Sequence, residues 1–304
     1  MPKKKEVEIS KPVKILDLYF DYLKNPYDIK RQPSDSNYPS SASIKIINSF
    51  GEEEIIGSCL RREAYRRLGI LKTDPDDAEG LLKMKAGKAI EEFIVLDYMK
   101  MGIWRGNNTK FYIKDLNVSG ETDVFVEINK KILGIELKTS YGDYFDVEIL
   151  GAKAPFWVKI AETGGYPKLE HLLQLVPYLF YWKKHNVTDE FRLQYFNRGS
   201  FKNSREYIVT IDNDGYLIVD GIKNDIIGLE PVIKRFKILD SFVEKNELPP
   251  QEFYLKYPES VARKLVDTGR KKEYWFNNWK HSKGICGDWL CTYCGWKTEC
   301  WRNK

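Results

Sequence analysis

One long helical stripe passes directly into three strand-like runs between about residues 79 and 139, and few folds accommodate that succession. Met84, Gly87, Glu91, Ile94, Val95 and Tyr98 recur at helical spacing and turn one face of a helix, from about Glu79 to Met101, toward a core. Strand-like runs follow at about 109–118, 121–128 and 131–139. A second long helix spans about 167–185, with strands near 190–197 and 206–212 and a helix near 225–246 that ends before Pro249-Pro250. Helix, three strands, helix, strand is the order of an α/β core with a mixed central sheet flanked by helices. The 304 residues are expected to form one domain over 1–304, with the core at about 80–212. A helical, partly irregular lead-in would occupy 1–79, with Cys59–Gly69 as a helix inside it, and residues 225–304 would complete the C-terminal side.

Four polar positions interrupt this apolar plan. Glu91 sits in the middle of the helical stripe, where a carboxylate is unfavourable unless a cation or donor meets it or it snorkels to the edge. Its neighbour Glu92 points away, toward Lys85 and Lys88. In "GETDVFVEI", Val124, Val126 and Ile128 share a face, while Asp123 on the other face opens the strand after a turn at Gly120. A short hairpin at Asn129-Lys130 then brings "KILGIELKTS" alongside. Glu136 and Lys138 share one face of that strand, and Ile135, Leu137 and Thr139 share the other. Taken alone, the Glu-x-Lys pair fits an exposed strand with a short-range ion pair. Adjacent antiparallel strands, however, bring Asp123 close to Glu136, and two nearby carboxylates repel unless a metal lies between them. In "EHLLQLVPYLFYW", Gln174 and Tyr178 lie four apart on one helix face, with His171 one turn earlier.

Composition narrows the class of function. Hydrophobic content of 42% with 31% charge is ordinary for a soluble globular chain, and no apolar run approaches a membrane span. The start "MPKKKEVEISK" lacks the apolar core of a signal peptide, so a cytoplasmic, reducing compartment is expected. A net charge of +5 is compatible with a nucleic-acid partner without requiring one. Five cysteines, an odd number, argue against a disulfide framework. Cys59 stands alone, whereas Cys286, Cys291, Cys294 and Cys300 crowd into the last twenty residues.

With these pieces in order, the chain resembles the RecB-like branch of the PD-(D/E)xK nuclease superfamily. The resemblance rests on G-x-x-I-E at Gly87 to Glu91, G-x-x-D at Gly120 to Asp123, E-x-K at Glu136 to Lys138 and Q-x-x-x-Y at Gln174 to Tyr178. It covers roughly residues 80–200. Many members carry a histidine where Glu91 stands; glutamate is a harder oxygen ligand suited to magnesium or manganese. The resemblance implies a metal-dependent DNA nuclease, with DNA that is single-stranded or has free ends as its partner. Glu91, Asp123, Glu136 and the Leu137 carbonyl would hold Mg2+ or Mn2+. Lys138 would orient or deprotonate the attacking water, and Gln174 and Tyr178 would position the strand or the lysine.

Cys59 together with Cys291-x-x-Cys294-x5-Cys300 is similar to the iron-sulfur staple of the CRISPR-associated Cas four nucleases and AddB-type repair nucleases. It implies a 4Fe-4S cluster joining the N- and C-terminal segments, with protein partners in a repair or CRISPR adaptation complex. Zn2+ could occupy the same thiolates, or Cys286, Cys291, Cys294 and Cys300 could form a local site that leaves Cys59 out. Arg61, Arg62, Tyr65, Trp289, Trp296 and Trp301, placed around the cysteines, are expected to line a DNA path. A non-catalytic DNA-binding or assembly subunit of the same fold is the alternative.

Overall fold

A computed structural model describes residues 35–153, 164–199 and 204–302. Its centre is a sheet of β3 (Trp104–Ile113), β4 (Val118–Ile128), β5 (Lys131–Ser140), β6 (Glu190–Asn197), β7 (Ser204–Ile211), β8 (Tyr216–Val219) and β9 (Ile222–Gly228), in that spatial order. Strands β5 and β6 run parallel, as a crossover connection requires; every other neighbouring pair is antiparallel. The sheet is therefore mixed, as expected, and extends past the anticipated core to Gly228. The expected β4–β5 hairpin is present. Asn129 (φ 51°) and Lys130 (φ 67°) are both left-handed, the conformation of a two-residue turn matched to strand twist.

The two faces of the sheet are covered unequally. On one, after the short α3 (Asp143–Glu148), lies α4 (Leu169–Lys184), buried almost all round by Leu172, Leu173, Leu175, Val176, Tyr178, Leu179 and Trp182. Trp182 meets Phe125 edge-on at 5.0 Å, and its indole N–H donates to Thr122 Oγ1 at 2.9 Å. Its Gln174 and Tyr178 point toward the sheet, and its exposed polar residues, Glu170 and Lys184, lie at its ends. The other face carries α2 (Ala78–Lys100), whose Val95 packs on Val124, Val126, Leu133, Ile135 and Leu137. The predicted stripe faces the sheet, yet the packing is shallow: Ala78 and Val95 are its only buried residues, and Phe93 is 62% exposed.

Three local expectations are corrected. Residues 35–58 are not a helical lead-in: β1 (Ser43–Ile47) and β2 (Glu53–Gly57) pair as an antiparallel hairpin. Isoleucine-rich strands flank a loop in which the Asn48 side chain accepts from the N–H groups of Phe50 and Glu52, which fixes a turn rather than a helix. Residues 1–34 lie outside the described residues. Next, the helix expected near 225 begins at Leu229 as α5 (Leu229–Glu244), with Pro231 in its first turn, and Ile222–Gly228 is strand. Finally, Gly120 is not a turn. It pairs with Phe111 inside β4, where a Cβ would come within 2.6 Å of the Phe111 ring and 2.7 Å of Pro39.

Gly134 in β5 is glycine for the same reason, since the fully buried Phe191 ring lies directly over it. Gly134→Ala is expected to destabilise the fold by about 1–3 kcal/mol through overpacking, read as a lowered urea midpoint at unchanged m-value. An unchanged midpoint would mean that the ring can move aside.

The segment around residues 60–74 is tied to the C-terminal region. Helix α1 (Leu60–Arg67) buries Glu63, which accepts from Ser41 and Ser58 and pairs with Arg62 and Arg66. The C-terminal region holds α6 (Glu259–Asp267), α7 (Glu273–Lys280), α8 (Trp289–Thr292) and α9 (Lys297–Trp301). Trp296 stacks on Tyr65 at 5.9 Å and donates to the Ile70 carbonyl. Asp74 accepts from both the N–H and the hydroxyl of Thr298, at 2.7 and 2.8 Å. No helix among the described residues is long and apolar enough to cross a membrane.

Candidate active site and cysteine pocket

The candidate site forms where the sheet opens. Strands β4 and β5 pair from Ile128↔Lys131 to Val124↔Ile135, where their register ends. On its other side, β4 pairs with β3 through Asn107↔Val124 and Thr109↔Thr122, skipping Asn108 and Asp123 between them. Asn108 is left-handed at φ 49°, which breaks the regular ladder at that point. Asp123 is thus placed well inside β4 rather than at its start. Its Oδ2 accepts the Leu137 N–H at 2.9 Å, so the carboxylate takes over a donor that the ladder has released.

Glu136 and Lys138 share the face toward α4, as the alternation demands. Lys138 Nζ lies 2.6 Å from Glu136 Oε1 and donates to Gln174 Oε1 at 3.1 Å. The amide nitrogen of Gln174 donates to Glu136 Oε1 at 2.7 Å and to Tyr178 Oη at 3.2 Å. Tyr178 in turn donates to the Glu121 carbonyl at 3.0 Å. Gln174 therefore holds acid and base at once, and Tyr178 acts through Gln174, fixing its amide against β4. Leu137 sends its side chain to the opposite, apolar face. His171 faces away from this network: its Nδ1 lies 2.8 Å from Tyr195 Oη, which also accepts from the Lys168 N–H. Burial first, and then the Lys138 charge, hold its imidazole well below the usual range, so a neutral ring meets the Tyr195 hydroxyl.

The carboxyls form an electrostatic unit. Burial, reinforced by Asp123, pushes Glu91 up to about 7. Burial, reinforced by Glu136, pushes Asp123 up to about 7 as well. Glu136 is raised by burial against the pull of Lys138. Lys138 stays charged: burial opposes its proton, and Glu136 with Asp123 more than offset that. One carboxylate oxygen, Glu136 Oε2, is buried without a hydrogen-bond partner among the described residues. Three hard-oxygen donors that repel one another, one with an orphaned lone pair, are a donor set that suits a divalent cation. Among the described residues, no three or more His, Cys, Asp or Glu side chains are grouped as a metal ion would hold them. Lys138 is the counter-ion that Glu136 has, and a cation would compete with it.

Away from the carboxyls, Cys59, at the N-cap of α1, shares one pocket with Cys291, Cys294 and Cys300. Burial pushes the Cys59 thiol up to about 11 and Cys291 up to about 12, where Cys59 also contributes; Cys294 is raised too. Gln251 Nε2 donates to the Cys300 carbonyl at 2.6 Å and lies 3.3 Å from its sulfur. Cys286 is elsewhere, buried with Ala262, Phe276 and Trp279, its thiol toward the carbonyls of Lys283 and Gly284. A local site built from the four late cysteines does not match this arrangement. Thiols with raised proton affinity require a strongly cationic centre to ionise. A tetrahedral zinc ion draws its four sulfurs to roughly 3.8 Å of one another, given Zn–S bonds of about 2.3 Å. A four-iron cluster takes one thiolate per iron and needs no such single-ion grouping.

Four of the six residues expected to line a DNA path around these cysteines are engaged within the protein. Tyr65 and Trp296 are buried against each other, Arg62 is engaged by Glu63, and Arg61 donates to the Pro249 carbonyl. These residues build the interior of the joint, because the two segments meet through them. Trp289 is the exception, 63% exposed beside Tyr293. Sequence inspection also passed over Asn107 and Asn108, whose only signal was a polar pair breaking the alternation of β3.

No family model matches the chain, and no curated protein matches it. Among solved structures it is similar to the protein in the "Crystal structure of SSO0001", at 13% identity and a TM-score of 0.36, over 84% of this chain and 96% of that one.

Proposed function

We propose that this chain is a metal-dependent DNA nuclease hydrolysing phosphodiester bonds, acting on single strands or ends, with a structural 4Fe-4S cluster at Cys59, Cys291, Cys294 and Cys300. The observation that carries it is the gathering of Asp123, Glu136, Lys138 and Gln174 at the point where β4 leaves β5, with Glu91 on α2 raised by burial and then by Asp123. Glu91, Asp123 and Glu136, with the Leu137 carbonyl, would hold Mg2+ or Mn2+. When bound, the ion supplies charge neutralisation at the phosphate and a bound water of lowered pKa. Lys138, charged in its present surroundings, offsets negative charge as the phosphorus becomes five-coordinate and orients the water. Gln174 keeps Lys138 within reach once Glu136 turns to the cation. The cysteines lie away from the carboxyls and tie α1 to the last helix, which suits a structural role for the cluster.

The second reading is a non-catalytic DNA-binding or assembly subunit, and one observation favours it: Glu136 is already satisfied on one oxygen by Lys138 and Gln174. Manganese binding separates the two. Titration followed by paramagnetic resonance is expected to show Mn2+ bound by the wild type and weakened at least tenfold in Asp123→Asn. Equal binding by both would move the metal away from this site.

A further inference from the structure

Glu91 belongs to two features at once: the carboxyl unit and a groove of about 310 Å³ running between α2 and β3. Val95, Leu96 and Met99 form the apolar wall of that groove, and Asn107 and Asn108 form the polar wall. Glu92 completes the lining, and no cationic residue takes part. A phosphate would find nothing there to neutralise it. A flat, uncharged ring system would find aliphatic and thioether surface for its faces and two amides for its edge. Leu96 and Met99 are 53% and 41% exposed, so these surfaces are open to an incoming group. The volume stands at the lower end of small-molecule sites and is enough for one base.

The groove and the candidate catalytic geometry also adjoin through β3 and β4. Asn108 is left-handed within a strand and lies across from Asp123 at the step where β3–β4 pairing is skipped. Asn108 in the groove wall and Asp123, which accepts from the Leu137 N–H, thus lie across from each other on neighbouring strands. An asparagine held in a strained conformation at such a position is the kind of feature that functional sites retain.

We propose that this groove receives the base of a nucleotide adjoining the scissile phosphate, turned out of any stack. The proposal rests on the nuclease reading above and deepens it. Because a base held in a duplex stack does not reach such a groove, the substrate must be single-stranded or frayed at the cleavage point. Because each amide both donates and accepts, no one base is selected.

The test uses the iron-loaded full chain with Mn2+ and short single-stranded oligonucleotides. One set is intact; the others carry a single abasic residue at each position flanking the cleaved bond. Wild type is expected to cleave the intact strand and to lose roughly tenfold or more in kcat/KM when the base is missing at one adjoining position. Met99→Trp and Leu96→Trp fill the groove from exposed positions. Each is expected to slow cleavage of the intact strand to about the abasic rate while cleaving the abasic strand like wild type. Wild type that cleaves intact and abasic strands equally overturns the base pocket and leaves the nuclease reading standing. So does a filled groove that keeps the full preference. A wild-type dimer turned into monomer by Met99→Trp would make the groove a subunit interface and overturn the proposal. Absence of any cleavage by wild type would overturn both proposals together.

Discussion

Lys138→Ala is expected to lower the rate of single-stranded DNA cleavage at least 100-fold while leaving a folded, iron-containing chain. The magnitude is that of losing a positioned proton-transfer or charge-stabilising group, typically 10²–10⁴. Folding should survive because Glu136, already raised by burial, can take a proton once its partner is gone, and Gln174 still donates to it. The remaining cost is that of a disrupted buried pair, on the order of a few kcal/mol, softened by this neutralisation. Cleavage measured beside far-ultraviolet circular dichroism separates the two effects. Activity within threefold of wild type in a folded variant would remove Lys138 from the mechanism.

Cys59→Ala is expected to have the largest effect on the fold. Cys59 and Cys300 are about 240 residues apart, and a link across that span restrains the unfolded chain by on the order of 5 kcal/mol in a chain-entropy estimate. Loss of the cluster should remove the iron and the visible absorption and lower the thermal midpoint by roughly 10 °C. Cys286→Ala should keep both, since its thiol lies in the Phe276–Trp279 cluster and meets only backbone carbonyls. Iron content of the two variants after anaerobic purification checks this. Iron kept by Cys59→Ala and lost by Cys286→Ala would reassign the ligands.

Much of this architecture was legible from residue spacing. Periodicity placed α2, α4 and the β4–β5 hairpin within a few residues, because each obeys a local rule: helical recurrence, strand alternation, and a turn at Asn129-Lys130. The shared face of Glu136 and Lys138 follows from alternation alone. Most of what escaped was non-local. The strand at 222–228 is a strand because of its pairing with β8, whereas the hairpin at 43–57 has local causes, its isoleucines and the Asn48 turn, which the expectation of a helical lead-in overlooks. Gly120 reads as a turn in isolation, and the reason for it is Phe111, on the neighbouring strand. The burial of Tyr65 and Trp296 requires two distant segments of the chain to meet, which no local pattern shows. Asn108 is the clearest case. It is left-handed inside a strand, across from Asp123, and the only trace in "RGNNTKF" is a polar pair that breaks the alternation.

The central claim is that this site cleaves DNA with a divalent metal. The most direct measurement incubates the wild-type, iron-loaded chain with end-labelled single-stranded DNA in Mn2+ or Mg2+, and in parallel with excess chelator. The expected result is cleavage with the metal and none with the chelator. No cleavage under any divalent cation, or equal cleavage in chelator, would contradict the claim.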